Sequence, residues 1–247
     1  MVPVHVERRG RVEVITIDDA ERRNILSAEL VAGIVSAVDA AEADDGVGAV
    51  VITGAGKAFC AGADLGDLAA MGSGERDPES VTGVYEGFLR VLNCSLPTVA
   101  AVNGPAVGAG FNLALACDLR IAGEAARFDA RFLSIGIHPG GGHTWLLDRA
   151  VGPQAAAAID LFGVRIDGAR AATIGLAWEC VSDDTLLDRA VEHAQRAAEA
   201  PRDLSIRTKA TLRNAHPTSN HPEALANELV DQVWSFSQPW FAERTGR

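Results

Sequence analysis

Two small-residue turns carry the groups best suited to chemistry. The first runs Gly54-Ala55-Gly56-Lys57-Ala58-Phe59-Cys60-Ala61-Gly62-Ala63-Asp64-Leu65. The second runs Asn103-Gly104-Pro105-Ala106-Val107-Gly108-Ala109-Gly110-Phe111-Asn112-Leu113-Ala114. Each follows an apolar β-type run, Val47 to Thr53 and Thr98 to Asn103, and each leads into a helical pattern. Gly and Ala let a ligand approach the main chain, and the first N–H groups of a helix lack intrahelical partners. Two such donors aimed at one oxygen form an oxyanion hole, which points to chemistry at a carbonyl. Beyond the second turn stands Asn112, an amide where a carboxylate would serve as acid or base.

The elements that must hold these turns are legible from periodicity. Residues 4–18 read as two short strands around Arg9-Gly10, the second half-buried by alternation. Ser27 is an N-cap for a helix through about Ala43, with Leu30, Ile34, Ala37, Val38 and Ala41 as its apolar stripe. Residues 69–80 are rich in Gly, Ser and charge and read as a loop. Helical patterns are predicted over 81–94, 109–117, 144–150, 153–162 and 167–175, with short strands at 119–122 and 178–181. From Asp183 onward the pattern is helical only, over 184–200, 203–214 and 222–236. Strand–helix alternation followed by helices predicts an α/β core over residues 1–182 and a C-terminal helical region over 183–247. Leu204, Ile206, Val233, Trp234 and Phe236 are too many large apolar residues for that region to bury alone, so it is expected to pack on the core or on another subunit. No fixed-period repeat is visible.

Composition narrows the function. The chain has 247 residues, 48% of them apolar, and a formal charge of −11. That charge argues against nucleic acid and anionic membrane surfaces. It leaves room for a small phosphorylated ligand held by a local cluster such as Arg22, Arg23 and Lys57. No apolar run approaches the ~20 residues of a membrane span, and no signal-peptide pattern opens the chain, so a cytoplasmic protein is expected. Cys60, Cys94, Cys117 and Cys180 show no metal or disulfide spacing. Cys60 lies in the first turn with no His nearby to activate it. Gly108-Ala109-Gly110 lacks the third glycine of a dinucleotide fingerprint, and Gly54-Ala55-Gly56-Lys57 lacks the rest of a P-loop.

The two turns, their order and their flanks resemble the crotonase (enoyl-CoA hydratase/isomerase) superfamily. The resemblance rests on Arg22-Arg23-Asn24-Ile25-Leu26, on Ala58 to Leu65, and on Pro97 to Leu119 with Asn103-Gly104-Pro105-Ala106 inside it. It continues through Gly136-Ile137-His138-Pro139-Gly140-Gly141-Gly142, Arg149-Ala150-Val151-Gly152 and Ala171 to Ala177. It implies an α/β, crotonase-like (ClpP/crotonase) spiral of ββα units with a C-terminal helical region, assembled as trimers or hexamers. It implies an acyl-CoA ligand, with coenzyme A as part of the substrate and no tightly bound cofactor or metal. By carry-over, the thioester oxygen accepts from the N–H groups of Ala63 and Ala109. Arg22, Arg23 and Lys57 fall near the CoA-contacting segments. Ala61 and Leu65 flank the adenine–pantetheine path, and Asp64 orders the turn between them.

The same carry-over places the two usual catalytic glutamates on Asn112 and Phe132, both in the acyl pocket. Neither side chain exchanges a proton near neutral pH. Gly140 stands where some members of the superfamily use an aspartate. Substitute groups are sought among Asp129 and His138, with His143, Asp67 and Glu86 as further candidates. Each is open to a plain reading as a turn, loop or surface residue. Trp145 is a pocket wall, core or a subunit contact. Three readings stay open: an enzyme with atypical acid/base residues, a non-catalytic acyl-CoA carrier or sensor, and an assembly subunit. Ser235 to Arg247 departs from the superfamily pattern.

Overall fold

The structure, a computed structural model, describes residues 3–214, 229–235 and 238–241. It opens with an antiparallel pair, β1 (Val4–Arg9) and β2 (Val12–Ile17). Helix α1 (Ala28–Ala43) follows, capped by Ser27, whose Oγ accepts from Leu30 N at 3.3 Å. Its buried face is the predicted stripe with Val31 added.

Three units of one design come next. Strand β3 (Ala49–Gly54) leads through the first turn to α2 (Leu65–Gly72) and α3 (Thr82–Leu92). Strand β4 (Thr98–Val102) leads through the short β5 (Pro105–Val107) to α4 (Ala109–Ala116). Strand β6 (Leu119–Gly123) leads through β7 (Arg127–Asp129) to α5 (His143–Asp160). Strand β8 (Ile166–Asp167), α6 (Gly168–Thr173), β9 (Glu179–Val181), α7 (Leu186–Ala198) and α8 (Arg202–Asn214) complete the chain. The strands of five or six residues, with the three-residue β9 at one edge, form one sheet in the order β1-β2-β3-β4-β6-β9, parallel from β2 onward. The short ones form a second sheet, β5-β7-β8. The units differ in length, which is why a structural repeat leaves no fixed period in the sequence.

Both faces of the large sheet are covered. Ile15, Ile52, Ala100 and Val102 face the cluster that includes α1, α3 and α4. Val12, Val14, Val51, Val99 and Ile121 face Leu186, Ala190 and Ala194 of α7. Alternation in β2 predicted a half-buried strand, but Glu13 on its second face is only 8% exposed. Helix α7, which covers Val12 and Val14 on the opposite face, belongs to the core's own packing, although it lies beyond the boundary drawn at residue 182. Helix α8 is tied back by Arg202, whose guanidinium donates to Val47 O and Glu42 O, and Ile206 packs on the main core.

Two local expectations change. Residues 69–72 belong to α2, capped by Asp64, whose Oδ1 accepts from Gly66 N at 2.7 Å. Helix α5 joins two predicted helices across a kink at Gly152 (φ 77°), with Pro153 starting the second part. The predicted helix 222–236 lies outside the described residues up to 228; 229–235 are helical. No helix among the described residues is long and apolar enough to cross a membrane.

Candidate active site

Main-chain pairing brings the two turns together. Cys60 and Ala106 form a parallel bridge, with Cys60 N donating to Pro105 O at 3.1 Å and Val107 N donating to Cys60 O at 2.9 Å. Three residues beyond each bridged position stand Ala63 and Ala109. The approach demands glycine: a Cβ on Gly62 (φ +85°) would lie 2.4 Å from Val107 O, and one on Gly110 2.1 Å from Cys60 O. The Gly62 position also lies against Ala109 N, 3.2 Å from where its Cβ would be. Ala109 is the first residue of α4, so its N–H has no acceptor in the helix. Among the described residues neither Ala63 N–H nor Ala109 N–H makes a hydrogen bond. Both residues line one cavity.

Asn24 anchors the first turn. It is fully buried, donates through Nδ2 to Ala55 O and Ala58 O, and accepts at Oδ1 from Asp19 N. Asn24→Ala strands those groups and is expected to cost about 2–3 kcal/mol. Thermal unfolding should drop by roughly 5–10 °C, and an unchanged midpoint would show that the turn holds itself. Cys60 is buried, its Sγ donating to Asn24 O at 3.0 Å, and burial pushes its thiol up to about 12. Cys60 is thus a core residue of the turn.

The site has two compartments. An outer groove of about 600 Å³ is lined by Arg22, Arg23, Lys57, Ala61, Asp64, Leu65 and Arg131. It is a local patch of cations on an acidic protein, although Arg22 is paired with Asp19 at 2.6 Å. The inner cavity is narrower, about 80 Å³, with Leu68, Val84, Ile135, Ile137 and Phe132 among its apolar walls. Ala61, Ala63, Leu65, Val107 and Arg131 line both compartments.

Four polar side chains line the inner cavity: Tyr85, Asn112, Arg131 and His138. His138 Nδ1 lies 2.7 Å from Pro139 O, which can only accept, so Nδ1 carries a proton and neutral His138 keeps a lone pair on Nε2. Tyr85, the chain's only tyrosine, places its hydroxyl 2.3 Å from where a Cβ on Gly140 would sit. The phenol fills the space that a side chain at position 140 would need. Asn112 is 1% exposed and donates from Nδ2 to Gly140 O at 3.1 Å. Its Oδ1 lies 2.6 Å from His143 Nδ1, and His143 Nε2 lies 3.0 Å from Asp160 Oδ1.

The other candidates stand elsewhere. Asp129 does not line the cavity; it pairs with Arg165 at 3.0 Å. His143 is no surface residue at a helix start, being 1% exposed behind Asn112 and between the rings of Phe111 and Phe132. Asp67 pairs with Arg76, and Asp67 and Glu86 line a groove beside α1 that adjoins the inner cavity at Ala63, Leu68 and Val84 without either carboxylate lining the cavity itself. Trp145 is 51% exposed, with the Arg149 guanidinium stacked at 4.5 Å. Sequence reasoning passed over Tyr85, Arg131 and Asp160. The only signals available were Tyr85's uniqueness and Arg131's place beside Phe132. Among the described residues no cluster of His, Cys, Asp and Glu could hold a metal.

Strand–strand–helix units wound across two sheets, with paired turns presenting main-chain donors to one cavity, make this a crotonase-fold protein. The solved enoyl-CoA hydratase of Polaromonas sp. JS666 superposes with a TM-score of 0.89 at 29% identity, covering 99% of this chain and 97% of that one. The sequence matches the enoyl-CoA hydratase/isomerase family over residues 7–238, and the chain belongs to that family. It is 50% identical to a probable enoyl-CoA hydratase of Mycobacterium tuberculosis, over 98% of this chain and 95% of the relative. It is 40% identical to a probable enoyl-CoA hydratase of Rhodobacter capsulatus, over 85% and 79% of the two chains.

Proposed function

We propose that the protein binds an acyl-CoA thioester with its carbonyl oxygen between Ala63 N–H and Ala109 N–H. We propose further that it turns the thioester over through an enolate-like anion, hydratase-like in chemistry, with both usual glutamates replaced. One observation carries this reading: two unpartnered main-chain donors brought to one cavity by the pairing of two turns. Such donors stabilise an oxyanion more than the neutral carbonyl, which is the condition for catalysis. The outer groove supports the CoA assignment, since Arg22, Arg23, Lys57 and Arg131 suit phosphate groups. Phe132 closes the acyl end with a ring, and Asn112 supplies only an amide.

The proton transfers then fall to other groups. Hydration takes a proton from water, adds hydroxide to C3, moves electrons to the thioester oxygen and returns a proton to C2. His138 is assigned as the base because it lines the cavity with Nε2 free. Tyr85 is the second cavity group able to exchange a proton. His138→Ala is expected to lower turnover of a 2-enoyl-CoA by about 10²-fold or more, with binding by calorimetry within threefold. Asp129→Asn, at a carboxylate that pairs with Arg165 outside the cavity, should leave turnover within twofold. Equal rates for wild type and His138→Ala would remove His138 from the reaction.

A second reading, a non-catalytic carrier or sensor, is favoured by the side chains at Asn112 and Phe132. A panel of 2-enoyl-CoA substrates separates the two: tight binding without turnover of any substrate supports the carrier. Assembly into trimers or hexamers is part of the proposal. It is supported by exposed apolar side chains, Leu161, Phe162 and Trp178 among them, with Phe162 80% exposed. A cytoplasmic location is likewise proposed, in keeping with the charge.

A further inference from the structure

The buried chain Asp160–His143–Asn112 fixes what Asn112 can offer a ligand. Gly140 O can only accept, so the Asn112 atom 3.1 Å from it is the amide nitrogen, and the oxygen faces His143. His143 Nδ1 must then carry the hydrogen. On the far side one proton lies between His143 Nε2 and Asp160 Oδ1, whichever atom holds it, and Nδ1–H survives either way. The rings of Phe111 and Phe132 pack edge-on against the imidazole, 5.3 and 4.9 Å from it. The amide is therefore locked at both ends. Of its two N–H groups one is spent on Gly140 O, and the other has no protein partner among the described residues.

We infer that the free N–H of Asn112 is a specificity-determining donor, which selects acyl-CoA ligands carrying a hydrogen-bond-accepting oxygen near C3. His143 and Asp160 are positioning residues for it. Asn112 lines the inner cavity three residues along α4 from Ala109, about 4.5 Å of helix rise beyond the proposed thioester-oxygen donor. That offset has the scale of the separation between a thioester oxygen and an oxygen on C3 of an extended chain. A plain hydrocarbon chain filling the small, largely apolar cavity would leave this donor unsatisfied, and a carbonyl or hydroxyl oxygen would satisfy it. A carboxylate at this position would prefer a donor from its ligand, so the amide inverts the polarity of the wall.

The inference rests on the proposed binding of acyl-CoA, and the test keeps the two apart. Calorimetry would compare butyryl-CoA with 3-hydroxybutyryl-CoA and 3-oxobutyryl-CoA on the wild type, on Asn112→Leu, and on His143→Leu and His143→Asn. The wild type is expected to bind the oxygenated probes roughly three- to tenfold more tightly. Asn112→Leu should bring that ratio near one while still binding butyryl-CoA. His143→Leu should reduce the ratio. His143→Asn, whose amide nitrogen matches the position of Nδ1, should restore it, an outcome that a packing role alone would not give. Equal wild-type affinities, or a preference that survives Asn112→Leu, would overturn the inference. A preference unchanged in His143→Leu would overturn the positioning role. Failure of every probe to bind would overturn the acyl-CoA reading itself, and this inference with it. The wild-type comparison stands even where a variant fails to fold.

Discussion

Replacing Ala109 with proline is expected to lower turnover of acyl-CoA thioesters by about 10²–10³-fold while leaving the fold intact. The substitution removes one N–H and sets the ring's Cδ where that hydrogen pointed, so calorimetry on the same preparation must show that the ligand still binds. Ala109 is the first residue of α4, the position where proline is best tolerated because its missing hydrogen had no helical acceptor. The preceding residue is Gly108, with φ 52° and ψ −116°, so no Cβ meets the proline ring from that side. Thermal unfolding should move by only a few degrees, because no internal hydrogen bond is lost. Steady-state rates and circular dichroism melts on the same preparation check both halves. Wild-type rates in a folded Ala109→Pro protein would mean that the oxygen sits elsewhere.

Glutamates installed together at Asn112 and Phe132 are expected to raise hydration of a short 2-enoyl-CoA by about 10²-fold or more. The gain comes from giving the cavity two groups that exchange protons beside an intact pair of donors. The surroundings favour the exchange unevenly. His143 Nδ1–H, now 2.6 Å from Asn112 Oδ1, can donate to a carboxylate at 112. Gly140 O would lose the N–H it accepts from Asn112 Nδ2 and must turn to water or to Tyr85. Removing the Phe132 ring takes an edge contact from His143, 4.9 Å away, and opens the acyl end. Some stability is therefore lost, and the assay belongs well below the melting temperature. A folded double variant that binds acyl-CoA without gaining hydration would show a pocket specialised for other chemistry.

Much of this site was written in local pattern. Ser27 capped its helix as predicted, and the buried stripe of α1 followed its periodicity. The paired turns were legible because close main-chain approach restricts residue type to Gly and Ala, and the structure supplies the reason in the Gly62 and Gly110 contacts. What escaped was non-local or too short to have a period. Strands β5, β7 and β8, of two or three residues, leave no alternation to read. His143 looked exposed because it begins a helix after three glycines, yet Asn112 and Asp160, 31 and 17 residues away, enclose it. Asp129 lay near Phe132 in sequence, but its strand turns it to Arg165. The helix expected after the first turn, α2, runs on through residues 69–72, which the Gly, Ser and charges of 69–80 had marked as loop.

The central claim is that Ala63 and Ala109 together polarise a bound thioester carbonyl. Isotope-edited infrared spectroscopy of a saturated acyl-CoA labelled with ¹³C at C1 measures that directly. On binding, the carbonyl stretch is predicted to move to lower frequency, and most of that shift should vanish in Ala109→Pro. A bound ligand whose carbonyl stretch stays at its solution frequency, or whose shift is the same in Ala109→Pro, would contradict the account.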